Sequence, residues 1–230
     1  MKAIILAAGK ATRLLPFTKD SPQCLLKIGQ KTILERQIEF LKKGGIEEIT
    51  IITGYLSEKI EKISNSLAIK TLFNPFYDVS GMALTLWIAK EELKRGFIFL
   101  YSDILLDPKL VKGLLENRGD ICLAIKKDGI REEAEKVIEK DGYLESISKI
   151  KRSRENGEFV GIAKFSEIGA KKLIVELDRI AEININSSFI DVIEGLINKN
   201  ERINTYDIKN MQFVDIDFPA DLKKAEELFK

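Results

Sequence analysis

The chain opens with an apolar run that stops abruptly at Gly9. Ala3 to Leu6 predict a short buried strand, and the segment from Ala8 to Leu14 predicts a loop whose small residues let a ligand approach the backbone. In such a loop uncovered N–H groups donate to phosphate oxygens, while lysine and arginine side chains neutralise the phosphate charge. The opening therefore indicates a phosphate site at the end of the first strand. The alternative is a strand and glycine turn that bind nothing, because neither the dinucleotide fingerprint nor the GxxxxGK[ST] loop is present.

Strand and helix patterns alternate along the first half of the chain. Thr32 and Glu35 fit a capping box at the start of a helix that Gly44 ends, and the β-branched run Ile49–Thr53 predicts another strand. A strand, a helix and a second strand form a βαβ unit, so we predict an α/β fold with a Rossmann-like, mixed but mostly parallel sheet flanked by helices. Further strands are predicted over residues 69–73, 97–101 and 120–125, and helices over 57–64 and 83–93.

The middle third of the chain shows a different pattern. Short apolar runs joined by charged turns that contain glycine predict a small antiparallel extension over about residues 127–165, on the acceptor side of the protein. A cationic cluster in this extension could meet phosphate, although a solvated loop is the simpler interpretation. The cluster consists of Lys149, Lys151, Arg152 and Arg154. The remaining predicted elements are helices from Ser166, over 189–196 and over 220–229, and a strand over 212–216. We predict one domain across all 230 residues.

Composition excludes several classes of function. Lysine and arginine number 37 against 36 acidic residues, so the net charge of +1 lacks the basic excess expected of a nucleic-acid-binding protein. Only Cys24 and Cys122 occur, without CxxC spacing, and no signal peptide or apolar run of about 18 residues is present, which predicts a cytoplasmic protein without a membrane span. Histidine is absent, which excludes Ser-His-Asp and Cys-His catalysis. Carboxylates, lysine, arginine and a hard metal ion remain to carry any chemistry.

Two aspartates follow predicted strands. Asp103 comes after the strand over 97–101, and ligands of open parallel sheets lie outside the carboxyl ends of the strands, so Asp103 and the loop after Leu6 are predicted to face one crevice. An aspartate at a strand end more often caps a helix, but Asp107 and Pro108 supply the next helix start here. Asp217 is a second carboxylate where a strand gives way to a helix.

The opening sequence and four later segments resemble a known family. The opening, LAAGKATRLLPFTKDSPQCL, is similar to the signature L-A-A-G-x-G-T-R-L-x-P-x-T-x-x-x-P-K-x-L of the nucleotidyltransferases that join an NTP to a sugar phosphate or another phosphomonoester. The later segments are FNPFYDVSGMALTLWIAKEEL, FIFLYSDILL, GEFVGIAKFS and FVDIDFPADLKKAEELF. They resemble segments of the branch that includes the phosphocholine cytidylyltransferases.

The resemblance implies the chemistry and the residues of the site. It implies a nucleotidyltransferase that uses Mg²⁺, an NTP, with CTP favoured, and a small phosphorylated acceptor. Asp103 and Asp217 would hold Mg²⁺, Lys136 would lie near the acceptor phosphate, and Glu158 would face the acceptor. The implied catalytic residues are Lys10, Arg13, Gln23, Asp103 and Asp217. The implied nucleotide-binding residues are Leu6, Ala7, Ala8, Gly9, Lys10, Ala11, Thr12 and Arg13 at the triphosphate loop, and Ser80, Gly81 and Met82 beside the nucleoside.

Two residues depart from the family signature. Ala11 replaces its second glycine, and an alanine is tolerated there if its backbone φ is not positive. Gln23 replaces the lysine of the P-K pair, so a neutral amide stands where the resemblance implies a phosphate contact. Loss of one such transition-state donor costs about 10²- to 10³-fold in rate in comparable electrostatic sites. Lys10, Lys19 or Lys27 could supply the missing charge instead.

The leading hypothesis is a nucleotidyltransferase that transfers CMP from CTP to a small phosphomonoester and releases pyrophosphate. A phosphomonoester is already an oxyanion, so its attack on the α-phosphorus needs alignment and charge neutralisation but no general base, in agreement with the absence of histidine. One alternative is a sugar-1-phosphate nucleotidyltransferase that uses UTP, dTTP or GTP. Another is a nucleotide-binding protein with lost or weak turnover because of Gln23. A homo-oligomer is left open, and no nucleic-acid or membrane partner is predicted.

Overall fold

The computed structural model describes residues 1–150 and 153–229. Its strands are β1 (Lys2–Ala7), β2 (Lys27–Ile28), β3 (Lys31–Thr32), β4 (Ile49–Thr53), β5 (Lys70–Phe73), β6 (Phe97–Tyr101), β7 (Ile104–Leu106), β8 (Ile121–Lys126), β9 (Lys136–Lys140), β10 (Tyr143–Ser148), β11 (Gly157–Phe165), β12 (Asn204–Asp207) and β13 (Phe213–Asp215). Its α-helices are α1 (Ile33–Lys43), α2 (Ser57–Ser66), α3 (Met82–Ile88), α4 (Lys90–Leu93), α5 (Lys109–Glu116), α6 (Glu167–Ile183), α7 (Phe189–Asn198) and α8 (Pro219–Phe229). Short 3₁₀ helices cover Thr12–Leu14 and Gln23–Leu25.

The chain divides into two compact units. The first consists of Met1–Val79, Phe99–Lys112 and the residues from Met211 onward, and the second of Ser80–Ile98 and Gly113–Asn210. The chain therefore passes from one unit to the other several times, and each unit is assembled from separate segments of the chain. The prediction of one domain across the chain stays a prediction.

The sheet of the first unit has the order β5-β4-β1-β6, to which β6 contributes residues 99–101. Strand β4 runs parallel to both neighbours, with Ala3 opposite Ile49 and Thr50 opposite Lys70. The buried residues of β1 and β4 are almost all aliphatic, as expected for central parallel strands covered on both faces. This arrangement confirms the predicted βαβ unit.

Helix α1 begins with the predicted capping box. The Glu35 backbone N–H donates to Thr32 Oγ1 at 3.1 Å, and the Thr32 N–H donates to the Glu35 carboxylate at 2.7 Å. Two unpaired N–H groups at the helix start are thereby satisfied. The apolar face of the helix, which includes Leu34, Ile38 and Leu41, is buried.

A small hydrophobic cluster joins the signature loop to the strands that follow β6. Strand β7 pairs antiparallel with β13, with Asp215 opposite Ile104. Leu14 of the signature loop is fully buried against apolar residues of these strands and of α8. The cluster contains Leu14, Ile28, Ile33, Leu105, Val214, Ile216 and Ala225. It fixes the loop next to the ends of β7 and β13.

In the second unit the strand pairings close into a ring. Strands β11, β8, β12, β10 and β9 are neighbours in that order, and β9 also pairs with β11. Only β8 and β12 are parallel. Strand β11 shifts its register against β8 between Phe159 and Ala163, and Gly161 within this stretch has φ +81°, so the strand bends and reaches both neighbours. Helix α3 packs against α6 and α7 in the same unit.

Most predicted elements are confirmed, with specific differences. Strands over 49–53 and 97–101 have the predicted bounds, and Asp107 starts α5 by accepting a hydrogen bond from the Lys109 N–H at 2.9 Å. The single helix predicted over 83–93 is wrong, because the backbone leaves the helical conformation at Ala89 and divides it into α3 and α4. Strand β12 was not predicted, since its sequence NTYD is polar and only half-buried. The predicted antiparallel extension exists, but it is part of the ring that also includes β8 and β12.

Among the described residues, no helix combines the length and the apolar composition needed to cross a membrane.

Candidate active site

The first unit brings three carboxylates together at the ends of β6 and β13. Asp103 follows β6, Asp215 ends β13, and Asp217 lies two residues further on. One oxygen atom from each side chain lies within 4.8 Å of the others. The backbone keeps them in place, because the Ile216 N–H donates to the Asp103 carbonyl at 3.0 Å and β13 pairs with β7. We call these three residues the carboxylate cluster.

The carboxylate cluster is electrostatically unbalanced. Burial raises the pKa of Asp103 well above its ordinary value, and the negative charges of Asp215 and Asp217 raise it further. Oδ1 of Asp103 is buried and has no hydrogen-bond partner among the described residues. Hard divalent cations prefer carboxylate oxygens, and such a cation would satisfy this oxygen and neutralise the mutual repulsion. The residues present therefore fit a divalent cation.

Arg13 of the signature loop reaches the carboxylate cluster directly. Its guanidinium forms an ion pair with Asp217 and lies 5.3 Å from the centroid of the Phe218 ring. The neighbouring Leu14 is buried in the hydrophobic cluster described above. The signature loop thus contacts the carboxylate cluster through Asp217, next to Asp103, which was predicted to face one crevice with the loop.

The start of the signature loop is open around its glycine. Gly9 is exposed, and a Cβ atom added there would meet nothing within 4 Å. Lys10 forms an ion pair with Asp78, and this hydrogen bond raises the pKa of Lys10. Leu6, Ala7 and Ala8 are buried, so a ligand would meet their backbone rather than their side chains. The Ala8 carbonyl already accepts from the Tyr55 N–H at 3.0 Å.

Ala11 has a left-handed backbone conformation, which favours glycine. Its φ is +47° and its ψ is +53°, in the left-handed region, which costs a residue with a Cβ atom about 1–2 kcal/mol relative to its relaxed conformation. An alanine without strain would need a φ that is not positive, and Ala11 does not have one. The Ala11 carbonyl accepts from the Leu14 N–H at 3.1 Å and from Thr18 Oγ1 at 2.9 Å, and these bonds hold the turn. Thr12 is exposed beside it.

Gln23 turns towards the carboxylate cluster. Its side-chain amide donates to the carbonyl of Ile216, the residue between Asp215 and Asp217. The amide is therefore part of the same group of residues as the carboxylates, although it carries no charge. Lys19 and Lys27 are both exposed, and the Lys19 carbonyl accepts from the Tyr55 hydroxyl at 2.6 Å.

The residues predicted to border the nucleoside lie at the start of α3 in the second unit. The Gly81 N–H donates to the Ile185 carbonyl at 2.8 Å. A Cβ atom added to Gly81 would lie 2.1 Å from the Ser187 carbonyl oxygen, so only glycine fits this contact. Ser80 and Met82 on either side are half-buried. Their role beside a nucleoside stays a prediction.

The residues predicted to bind the acceptor are both buried in the ring of strands. The Lys136 ammonium donates to the carbonyls of Glu132, Ala134 and Lys149 at 2.5, 3.2 and 3.4 Å. Glu158 is fully buried and accepts from the Arg131 N–H at 2.8 Å and from its Nε at 3.1 Å. Each side chain is therefore engaged by its neighbours.

A cavity of about 790 Å³ adjoins Lys136. It is lined by Ile130, Arg131, Glu132, Glu133, Lys136, Lys149 and Glu155. Glu158 does not line it, whereas Arg131, which binds Glu158, does. Of the cationic cluster predicted in this extension, Lys149 and Arg154 are exposed, and Lys151 and Arg152 lie outside the described residues.

Sequence reasoning missed Asp215, Asp78 and Arg131. The signal for Asp215 was available, because residues two apart in an extended segment face the same side, and Asp215 stands two before Asp217. No local pattern distinguishes Asp78 or Arg131 from other surface charges, since their partners Lys10 and Glu158 lie far away along the chain.

Comparison with known proteins gives consistent matches along the chain. Residues 3–165 match the family model described as MobA-like NTP transferase domain. The chain is 28% identical to the CTP:phosphoglutamine cytidylyltransferase of Campylobacter jejuni, over 97% of this chain and 98% of that protein. It is 29% identical to the choline-phosphate cytidylyltransferase of Streptococcus pneumoniae, over 100% of this chain and 99% of that protein.

A solved structure agrees with these sequence matches. The structure of CTP:phosphocholine cytidylyltransferase from Streptococcus pneumoniae has a TM-score of 0.84 and 27% identity, and the match covers 100% of this chain and 99% of that one. The predicted α/β fold and the resemblance drawn from the signature are therefore confirmed.

Proposed function

We propose that this chain, which belongs to the family of MobA-like NTP transferase domains, transfers CMP from CTP to a small phosphomonoester and releases pyrophosphate. The observation that carries the proposal is the contact between the signature loop and the carboxylate cluster, made by Arg13 and Asp217. CTP is favoured because the two relatives described above act with CTP or form cytidylyl products by name.

Asp103 and Asp217, with Asp215 beside them, would hold Mg²⁺. When bound, Mg²⁺ would supply positive charge to the phosphate oxygens during the transfer. The unpaired buried oxygen of Asp103 and the set of carboxylate donors support this assignment. The chain itself would keep the three carboxylates converged through the pairing of β7 with β13.

The signature loop would bind and orient the triphosphate. Backbone N–H groups around the exposed Gly9 are accessible to phosphate oxygens, and Lys10 and Arg13 would exchange their present carboxylate partners for phosphate. The acceptor phosphate is an oxyanion at neutral pH and needs no base, so a chain without histidine can carry out this transfer. Ser80, Gly81 and Met82 beside the nucleoside, and Lys136 and Glu158 on the acceptor side, remain part of the proposal.

A screen of nucleotides against acceptors tests the proposal. The chain is mixed with Mg²⁺, each of CTP, UTP, dTTP, GTP and ATP, and a panel of phosphomonoesters that includes alcohol phosphates and sugar 1-phosphates. We expect pyrophosphate release with CTP and an alcohol or polyol phosphate. Release with a sugar 1-phosphate and UTP, dTTP or GTP would instead identify the alternative nucleotidyltransferase. No release above an Asp103→Asn control with any pair overturns the proposal.

Gln23 supports a second candidate, a nucleotide-binding protein with lost or weak turnover. Its amide is tied to the Ile216 carbonyl and carries no charge for a phosphate. This candidate predicts CTP binding by calorimetry with negligible turnover, and a rise of about 10²-fold in Gln23→Lys. A wild-type chain that already turns over faster than Gln23→Lys contradicts it.

We also propose a cytoplasmic location and a single-domain organisation for the chain, and a homo-oligomer is left open.

A further inference from the structure

A buried glutamine outside the signature holds the segment that carries Asp103. Gln37 of α1 is only 2% exposed. Its side-chain amide donates to the carbonyl of Tyr101 and to the carbonyl of Ile104, each at 2.8 Å. These two carbonyls flank Ser102 and Asp103, so one amide group binds the backbone on both sides of Asp103.

Gln23 makes the corresponding contact on the other segment. It donates to the carbonyl of Ile216, between Asp215 and Asp217. Each of the two segments of the carboxylate cluster is therefore tied by a neutral amide donor from an earlier part of the chain. A neutral donor can hold the backbone without pairing with the carboxylates, which leaves their oxygens available to a cation.

The bonds of Gln37 are unusual for a residue kept only for stability. Its Oε1 atom is buried without a hydrogen-bond partner among the described residues, and a buried unpaired acceptor is unfavourable. The two donor bonds are made to the turn that carries Asp103, at which the like charges of the carboxylate cluster repel. Asp103, Asp215 and Asp217 repel each other, and the Arg13 guanidinium, which pairs with Asp217, offsets only part of this repulsion, so the backbone of the Asp103 turn has to oppose the rest.

We propose that Gln37 is a positioning residue that fixes Asp103 in the geometry needed to bind a divalent cation. The inference rests on the proposed function only in assigning a cation to the carboxylate cluster. Gln37 would act through the backbone of Tyr101 and Ile104 and would touch neither the cation nor the nucleotide. Hydrogen-bonding groups that orient a metal ligand change metal affinity or activity by about 10- to 100-fold when they are removed.

Direct titration with Mn²⁺ tests this role without any substrate. Free Mn²⁺ is measured by electron paramagnetic resonance in the presence of the wild-type chain, Asp103→Asn and Gln37→Met. Asp103→Asn identifies the binding that belongs to the carboxylate cluster. We expect Gln37→Met, which keeps the length of the side chain but donates no hydrogen bond, to weaken that binding about 10- to 100-fold.

Lys164→Met is the matched control for lost hydrogen bonds. Lys164 is 4% exposed, lies in the second unit, and donates to two loop carbonyls, those of Asn117 and Gly119, at 2.8 and 2.6 Å. The substitution removes the same kind of contact at a site without a carboxylate cluster. We expect it to lower the melting temperature as Gln37→Met does but to leave Mn²⁺ affinity unchanged.

The outcomes separate this inference from the proposed function. Wild-type Mn²⁺ affinity in a folded Gln37→Met overturns the inference, and so does equal weakening in Lys164→Met. If Gln37→Met does not fold, Gln37→Asn replaces it, because the shorter amide cannot hold both carbonyls and the same loss of affinity is expected. Weakened Mn²⁺ binding in a chain that turns over no substrate supports the inference and removes the proposed function. If Asp103→Asn does not change Mn²⁺ binding, the cation does not bind at the carboxylate cluster and the inference is overturned.

Discussion

The carboxylate cluster of the first unit and the acceptor-side region of the second differ in how fully their charged side chains are paired. In the first, Asp103 is half-buried beside two like charges, and its buried Oδ1 atom is unpaired among the described residues. In the second, Lys136 is satisfied by three backbone carbonyls and Glu158 by Arg131. A region whose charges are left unbalanced is prepared for a charged ligand, whereas a region whose charges are already satisfied has its shape fixed by them.

This difference bears on the role of Lys136 and Glu158, the two residues predicted to bind the acceptor. Lys136 would have to give up carbonyl bonds to reach a phosphate, and Glu158 would have to leave Arg131. Both changes carry a free-energy cost that Arg13 and Lys10, which are partly exposed, avoid. We therefore expect substitutions of the charged residues Arg13 and Asp103 to act mainly on turnover, and those at Lys136 and Glu158 to act mainly on stability.

The largest effect is expected from Asp103→Asn. Loss of the half-buried carboxylate would remove a metal ligand, so turnover should fall by at least about 10³-fold, since loss of a ligand costs more than the 10- to 100-fold cost of losing a group that orients a ligand. The same substitution removes repulsion from Asp215 and Asp217, so the melting temperature of the metal-free chain should rise. Pyrophosphate release and thermal denaturation in the presence of a chelator measure the two effects. A fall in both quantities would show that the carboxylate is a structural group and would remove the contrast between the two regions.

Arg13→Met is expected to have the second largest effect. The guanidinium is half-exposed and would donate to the triphosphate, so its loss should lower turnover by about 10²- to 10³-fold. Its contribution to stability should be within about 1 kcal/mol, because exposed ion pairs contribute little. Arg118→Met, the same change at an exposed arginine of the second unit, is the control and should leave turnover unchanged. Equal rates for the two variants would refute a role for Arg13 in transfer.

Lys136→Met tests the acceptor-side region of the second unit, where the charged side chains are already paired. Removal of the ammonium leaves the carbonyls of Glu132 and Ala134 without their donor, which should lower the free energy of unfolding by about 1–3 kcal/mol. Chemical denaturation measures this change. Lys149→Met is a matched control, because Lys149 lines the same cavity but is exposed. If Lys136→Met raises the KM for the phosphomonoester and leaves stability unchanged, Lys136 contacts the acceptor and the interpretation of a satisfied charge is wrong.

Strand ends and spacing made part of the site predictable. Asp103 and Asp217 each follow an apolar run that could be recognised locally, and Asp103 lies where ligands of open α/β sheets bind, beyond the end of a strand of the main sheet. The approach of Asp217 depends instead on the antiparallel pairing of β13 with β7, which no local pattern indicated. Asp215 was equally accessible through its spacing of two from Asp217. The position of Gln37 could not be predicted, because its partners lie 64 and 67 residues further along the chain and a glutamine on a helix face carries no local sign of them.

For the fold, too, only the elements with a local sequence pattern could be predicted. The βαβ half was predictable, since its strands are continuous apolar runs and its first helix has a capping box. The closed ring of strands was not, because it depends on β12, a polar segment whose strand conformation comes from pairing with β8 and β10. Tertiary pairing decided the structure there, and local propensity did not.

The smallest predicted effect concerns Ala11, where the signature loop retains a left-handed conformation without the glycine that favours it. Ala11→Gly removes the strain of a Cβ atom at φ +47° but makes the unfolded chain more flexible, so we expect a net gain of about 0.5–1 kcal/mol in the free energy of unfolding. For a chain of this size that gain corresponds to a rise of about 1–4 °C in melting temperature.

Ala181→Gly is the matched control for this last substitution. It makes the same change in the last turn of α6, where the backbone is helical, and should lower the free energy of unfolding by about 0.5–1 kcal/mol. The two variants therefore differ in the sign of their effect, which calorimetry resolves. If Ala11→Gly is also destabilising, the loop relaxes to a negative φ in solution. The signature loop would then have adapted to alanine through its conformation, and Gly9 alone would supply the open backbone that a triphosphate needs.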